Sequence, residues 1–137
     1  MAEADWQSGL AAFARFYRQA YLRHPDAVAL VARRPIASER ALEVYERLLE
    51  SLVRHGLALS DALPAMGFLD HIVLGSAGET FTGGFDRPPP AFADHYPLLA
   101  QALENNRHTL IDETAFEIAL ASWLDHIATL QTTPSDH

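Results

Sequence analysis

The sequence predicts an all-α fold, an antiparallel bundle of about six helices, and three observations support this fold class. Apolar residues recur at spacings of three and four along most of the chain, as one face of a helix requires. No stretch shows the strict alternation of a half-buried strand. Proline and glycine separate the periodic segments. With 137 residues, 49% of them hydrophobic, the chain is large enough for one core, so we expect a single domain over residues 1–130 and a disordered tail over 131–137.

The first three predicted helices end where proline or glycine interrupts the pattern. The first ends near His24-Pro25, because the residue before a proline avoids the helical region. A short second helix is expected over residues 26–32. The third begins at Ser38, a capping residue type, and ends at Gly56. The apolar stripe of the first helix comprises Trp6, Leu10, Phe13, Tyr17 and Tyr21, and that of the third comprises Leu42, Tyr45, Leu48, Leu49 and Leu52.

The second half of the chain contains three further predicted helices. The fourth, residues 60–81, is apolar around most of its circumference, which is typical of a helix buried on more than one side. A proline-rich loop over 82–94 is expected to be mobile, and a fifth helix follows over 98–106. The sixth, residues 113–130, carries a stripe formed by Phe116, Leu120, Trp123, Leu124 and Ile127.

The pattern indicates that the fourth and sixth helices hold more apolar surface than one subunit can bury. Exposed apolar patches mark interfaces, so we expect a homodimer in which these two helices of each copy form an intermolecular four-helix bundle. The alternative is that the loop and the fifth helix cover the surplus. The expected interface residues are Leu69, Val73, Ser76, Ala77, Thr80, Phe116, Leu120, Trp123 and Ile127.

Composition excludes several classes of function. The net charge is −8, and all ten basic residues are arginines, mostly in the first half of the chain, so we expect no direct nucleic-acid binding. The absence of cysteine excludes disulfides and thiolate zinc sites. The acidic N-terminus is no signal peptide, and no apolar stretch is long enough for a membrane span, so a cytoplasmic protein without a membrane partner is expected. No hydrolase, zinc-protease or phosphate-loop motif occurs, so we expect no enzyme and no metal or other cofactor.

Short motifs in a characteristic order carry a family resemblance. They are Asp5-Trp6, Leu10, His24-Pro25, Arg34-Pro35, His55-Gly56-Leu57, Ser60-Asp61-Ala62, Leu74-Gly75, Tyr96-Pro97-Leu98-Leu99 and Phe116. This pattern over residues 5–130 resembles the C-terminal ligand-binding and dimerisation domain of TetR-family transcriptional regulators, in particular the tetracycline-repressor-like subgroup. The N-terminal helix-turn-helix domain is expected to be absent, whether trimmed away or naturally lacking.

The resemblance implies how such a domain works. It implies an Ω-shaped homodimer joined by the fourth and sixth helices, with a ligand tunnel enclosed by the first, third and fourth helices of each subunit. Effector binding would change the distance between two N-terminal DNA-binding heads and release operator DNA. In the subgroup a histidine four residues before the Arg-Pro holds a magnesium–tetracycline complex. Leu30 stands there in this chain, although Glu79 matches the family's glutamate, so this ligand is not expected.

A pocket for a small, mostly apolar effector needs apolar walls and a few polar groups. The candidates are Phe13, Phe16, Tyr17, Tyr21, Arg34, Leu48, Leu52, His55, Phe68, His71, Ile72 and Glu79. For any one aromatic residue, plain core packing is the alternative. His71 stands in an apolar run and needs a partner or a ligand, but it could also lie at the dimer interface. Arg34 could meet an acidic ligand or form a surface pair.

Besides a small helical enzyme, which is not expected and would need a tight cluster of titratable groups inside a cavity, two functions remain open. The first is the effector-binding domain of a TetR-family repressor. The second is a free-standing helical protein that binds a lipid or hydrophobic metabolite without any link to DNA.

Overall fold

The computed structural model describes residues 3–24, 39–78, 81–82 and 84–131. They form five α-helices and one 3₁₀ turn: α1 Glu3–Leu22, α2 Glu39–Arg54, α3 Leu59–Ala77, the turn Pro89–Ala91, α4 Pro97–Asn105 and α5 Ile111–Leu130. Within these ranges no residue lies in a strand, which confirms the all-α fold class. The expected helix over 26–32 lies outside the described residues, as does the expected tail beyond Gln131.

Helix α3 is the centre of the bundle, because α1, α2 and α5 all pack against it. Its buried residues are Ala62, Ala65, Met66, Leu69, Val73 and Ala77. Three neighbours approach it from different sides, and this explains why apolar residues occupy most of its circumference. Most of the apolar surface that suggested a second subunit is therefore used inside one chain.

This packing corrects the argument from which the interface residues were predicted. Seven of the nine are at most 3% exposed in the single chain: Leu69, Val73, Ala77, Phe116, Leu120, Trp123 and Ile127. Ser76 is half-buried and accepts a hydrogen bond from Arg18 Nε, whereas Thr80 lies outside the described residues. At most 3% of each of these seven residues is exposed, so an interface on α3 and α5 has to use mainly the outward-facing residues of the two helices.

The contact between α3 and α5 is the most extensive one among the described helices. Trp123 is fully buried, and its indole Nε1 donates a hydrogen bond to the backbone oxygen of Ala65 at 2.9 Å. This bond satisfies the only polar atom of the indole and aligns the two helices at this point.

The end of α2 follows from one glycine. Gly56 has a φ of 106°, a conformation that side-chain-bearing residues rarely adopt. Its N–H donates to Val53 O at 3.0 Å, and Leu57 N–H donates to Leu52 O at 3.1 Å. These two bonds form a Schellman motif, which confirms the predicted C-terminal glycine and places Leu57 in the core.

The segment between α3 and α5 forms a small separate unit. Among the described elements, α4 packs only against the 3₁₀ turn. Phe92 and Ala100 are buried within this unit, while Leu98 is 79% exposed. Asp112 Oδ2 holds the start of the segment, because it accepts hydrogen bonds from the backbone N–H of Phe81 at 3.0 Å and of Thr82 at 2.8 Å. Asp112, in the first turn of α5, therefore anchors the loop to that helix.

Candidate functional site

A polar cluster lies where α1, α2 and α3 meet. Tyr17 on α1 donates its hydroxyl hydrogen bond to Asp70 Oδ1 at 2.7 Å. Tyr45 on α2 donates to Asp70 Oδ2 at 2.8 Å. Each carboxylate oxygen of this α3 residue thus accepts one phenol, and all three side chains are half-buried. We call Tyr17, Tyr45 and Asp70 the tyrosine–aspartate cluster.

Aromatic rings of α1 extend the cluster along the helix. The ring centroids of Phe13 and Tyr17 lie 5.9 Å apart, and those of Tyr17 and Tyr21 lie 5.4 Å apart. Both pairs are tilted, an arrangement that aromatic rings favour over face-to-face stacking. All three rings are half-buried and border the core without being enclosed by it. They form an aromatic wall on α1, and its middle ring, Tyr17, contacts the carboxylate of Asp70.

The environment keeps both phenols protonated. Burial, and then the hydrogen bond to Asp70, raise the pKa of Tyr17 far above its usual value of 10. Burial is also the main cause that raises the pKa of Tyr45 to about 12. Both hydroxyls therefore remain donors at neutral pH. A hydrogen bond to a charged acceptor contributes about 1.5–3 kcal/mol, so the two phenols offset much of the hydration that the carboxylate loses.

The cluster carries no counter-ion among the described residues. The described residues form three ion pairs, Arg15–Glu117, Arg87–Asp86 and Arg107–Glu104. None of the three involves a residue of the cluster. Asp70 is thus held by neutral donors alone within the described part of the chain.

A cavity of about 190 Å³ lies between α1 and α5, away from the cluster. Arg18 is buried here at 4% exposure, with its guanidinium 5.0 Å from the centroid of the Phe116 ring. At the rim, Arg15 binds both carboxylate oxygens of Glu117, at 3.0 and 2.8 Å. That hydrogen bonding lowers the pKa of Glu117 and raises that of Arg15. Positive and negative groups here neutralise one another, so the cavity favours neither ligand charge.

A second, mostly apolar groove of about 290 Å³ runs between α3 and α5 on the outer side of the bundle. Ile72 and Gly75 line it from α3, and Ala115 and Ala119 line it from α5. Gly75 has no atom within 4 Å of the position that a Cβ would take. Small residues on both helices leave the groove open to close approach by another helix.

The structure brings together only part of the predicted pocket. Phe13, Tyr17 and Tyr21 form the aromatic wall, which Tyr17 joins to Asp70. Leu48 and Leu52 are buried in the core, whereas Phe16 is 61% exposed. The remaining candidates lie elsewhere: His55 stacks on Trp6 at 4.1 Å, Phe68 lies 5.7 Å from His126, Ile72 lines the outer groove, and His71 is exposed. Arg34 and Glu79 fall outside the residues that can be described.

Sequence reasoning does not identify Tyr45 and Asp70 as site residues. Tyr45 belongs to an apolar stripe and is expected only to pack. Asp70 carries the signal that singled out His71, an ionisable residue within an apolar run. The two neighbours point to different sides of α3, and the fold directs Asp70 towards α1 and α2 and His71 towards solvent.

The described residues contain neither a membrane-spanning helix nor a cluster of metal ligands. No helix there is long and apolar enough to cross a membrane, and no group of three or more potential ligands is placed to hold a metal ion.

Comparison with known proteins identifies the family. No curated protein and no solved structure matches the chain. A family model described as the tetracyclin repressor-like C-terminal domain matches residues 1–130, nearly the whole length. The tyrosine–aspartate cluster lies among α1, α2 and α3, which are the first, third and fourth helices predicted from the sequence. The chain therefore belongs to the family of tetracyclin repressor-like C-terminal domains.

Proposed function

We propose that this chain is the effector-sensing and dimerisation domain of a TetR-family repressor, and that its effector binds beside the tyrosine–aspartate cluster. The observation that carries the proposal is the meeting of Tyr17, Tyr45 and Asp70 at the junction of α1, α2 and α3. A small-molecule site needs an apolar wall with a few fixed polar groups. The aromatic wall supplies the first, and the cluster supplies the second.

A ligand panel followed by thermal unfolding tests the location of this site. A ligand present at 100 times its Kd stabilises the folded chain by about 2.7 kcal/mol, which for a domain of this size raises Tm by about 9 °C. Tyr45→Ala should abolish this rise by removing one wall and one donor. Tyr96→Ala is the matched control, since Tyr96 is 57% exposed on the separate α4 unit. An equal rise in both variants would place the ligand elsewhere.

We further propose that the outer groove is the homodimer contact. Small side chains on α3 and α5 allow two copies to cross closely about a two-fold axis, and the groove is apolar where it would be covered. Ala115→Arg places a charge in the groove and should convert dimer to monomer in sedimentation velocity. Ala121→Arg makes the same change at an exposed position of α5 outside the groove and should remain dimeric. A wild-type chain that is monomeric at micromolar concentration contradicts the proposal.

A sensor also has to couple the two sites. A ligand shifts the dimer between arrangements only if it binds them with different affinity. Small-angle scattering of the dimer with and without a ligand from the panel distinguishes a sensor from a carrier. A sensor changes the distance between its subunits, whereas a free-standing binding protein for a hydrophobic metabolite leaves that distance unchanged.

A further inference from the structure

We propose that the effector is an organic cation, an amine or quaternary ammonium compound with an apolar body, whose charge is received by Asp70 and the aromatic wall of α1. This inference rests on the proposed function and specifies the chemical class of ligand at the same site. It is carried by the charge, the hydrogen-bonding capacity and the ring positions at the cluster.

The charge at the cluster favours a cationic ligand. The carboxylate of Asp70 is half-buried, and its described partners are two neutral phenols. Within the described residues, no arginine or histidine forms an ion pair with it. A carboxylate without a counter-ion in a partly desolvated position attracts a cation and repels an anion. A carboxylate or phosphate ligand would add a second negative charge beside it.

The carboxylate of Asp70 can accept further hydrogen bonds. An ionised carboxylate has about four acceptor sites, and the two phenols occupy one on each oxygen of Asp70. One site remains on each oxygen for the N–H groups of a bound amine. The phenols orient the carboxylate and leave it able to bind a further donor.

The aromatic rings of α1 also attract a cation. The faces of aromatic rings carry partial negative charge and attract ammonium groups within about 6 Å of the ring centre. Phe13, Tyr17 and Tyr21 form a continuous series of such rings along α1, with centroid separations of 5.9 and 5.4 Å. Quaternary ammonium groups have no N–H to donate, and these faces would bind them where hydrogen bonding cannot.

The charge of the whole chain acts in the same direction. With a net charge of −8, the domain attracts cations over the range of the Debye length, about 8 Å at physiological ionic strength. The α1–α5 cavity does not have this selectivity, because two arginines and two glutamates line it. Of the cluster and this cavity, only the cluster therefore presents a half-buried carboxylate that no described arginine or histidine pairs with.

Matched probes of different charge test the proposal on the full chain. The three probes are naphthylmethyl-trimethylammonium, the neutral 2-naphthylethanol and the anionic naphthylacetate, with binding measured by titration calorimetry. We expect the cation to bind at least tenfold more tightly than the neutral probe and the anion not to bind. The affinity for the cation should fall as salt increases.

Two variants locate the interaction. Asp70→Asn keeps the size of the side chain and should weaken cation binding at least tenfold, while the neutral probe changes less than twofold. Asp125→Asn, an exposed residue of α5, makes the same change in net charge and should leave both affinities unchanged. Circular dichroism establishes that each variant is folded. If Asp70→Asn does not fold, the cation-to-neutral ratio of the wild-type chain still decides the question.

The outcomes separate this inference from the proposed function. Equal binding of cation and neutral probe, or a cation affinity that Asp70→Asn does not alter, overturns the cation proposal and leaves an apolar effector site in place. Preferred binding of the anion overturns it as well. If none of the three probes binds, the cation proposal fails, and the site itself is then judged by the thermal panel with Tyr45→Ala.

Discussion

The hydrogen bond from Tyr17 to Asp70 makes a measurable prediction about stability. Tyr17→Phe removes one hydroxyl and leaves Asp70 Oδ1 without its phenol. A hydrogen bond to a charged group contributes about 1.5–3 kcal/mol, and since the site is half-buried, water replaces part of it, so we expect a loss of about 1.5 kcal/mol. The entropy of unfolding of a chain this long is about 0.3 kcal/mol/K, so Tm should fall by about 5 °C.

The assay is urea or thermal unfolding at pH 7 in the absence of ligand, with a control and a second background. Tyr96→Phe makes the same chemical change at an exposed ring and should alter stability by less than about 0.5 kcal/mol. In an Asp70→Asn background Tyr17→Phe should cost about 1 kcal/mol less, because a neutral amide is a weaker acceptor. A cost of Tyr17→Phe that is no larger than that of Tyr96→Phe would falsify the account of the cluster.

Three further predictions concern pH and backbone conformation. The hydrogen bond with Arg15 lowers the pKa of Glu117. The stabilisation by this ion pair is therefore fully present above the usual glutamate pKa near 4.5 and is lost as pH falls through the lowered pKa. In urea unfolding, Glu117→Gln should reduce the free energy of unfolding by about 0.5 kcal/mol at pH 7 and should have no effect near pH 2. The pKa of Tyr45 is raised to about 12, so the stability that its protonated hydroxyl contributes below pH 10 should be lost as pH rises through about 12. The difference in phenolate absorbance between wild type and Tyr45→Phe should accordingly show its step near pH 12 and not near pH 10. In the same unfolding assay, Gly56→Ala should destabilise the chain by about 1 kcal/mol, because alanine rarely adopts the positive φ of this position. Gly75→Ala, at a helical position with open space around it, should stabilise the monomer by about 0.5 kcal/mol. Equal effects of the two substitutions would contradict the Schellman motif at Gly56.

The predicted homodimer illustrates a limit of reasoning from apolar periodicity. The segments around Leu69 and Phe116 do carry more apolar surface than one helix–helix contact needs. Periodicity, however, does not show whether a second subunit or another helix of the same chain covers that surface. In the fold α3 has three neighbours in its own chain, so these residues are buried without a partner. The proposed interface is therefore inferred from the small residues that line the outer groove, and not from the large apolar residues of the helix stripes.

The sequence by itself determined the helical class, most helix boundaries and the family, because these depend on local properties: the 3.6-residue repeat, the conformational limits of proline and glycine, and the order of short motifs. Tertiary structure alone decided which side chains meet. Tyr17, Asp70 and Tyr45 are far apart in sequence, and their contact depends on how α1 and α2 are rotated about α3. A rotation of 100° per residue separates Asp70 from His71, so the same local signal leads to a carboxylate among aromatic rings in one case and to an exposed imidazole in the other.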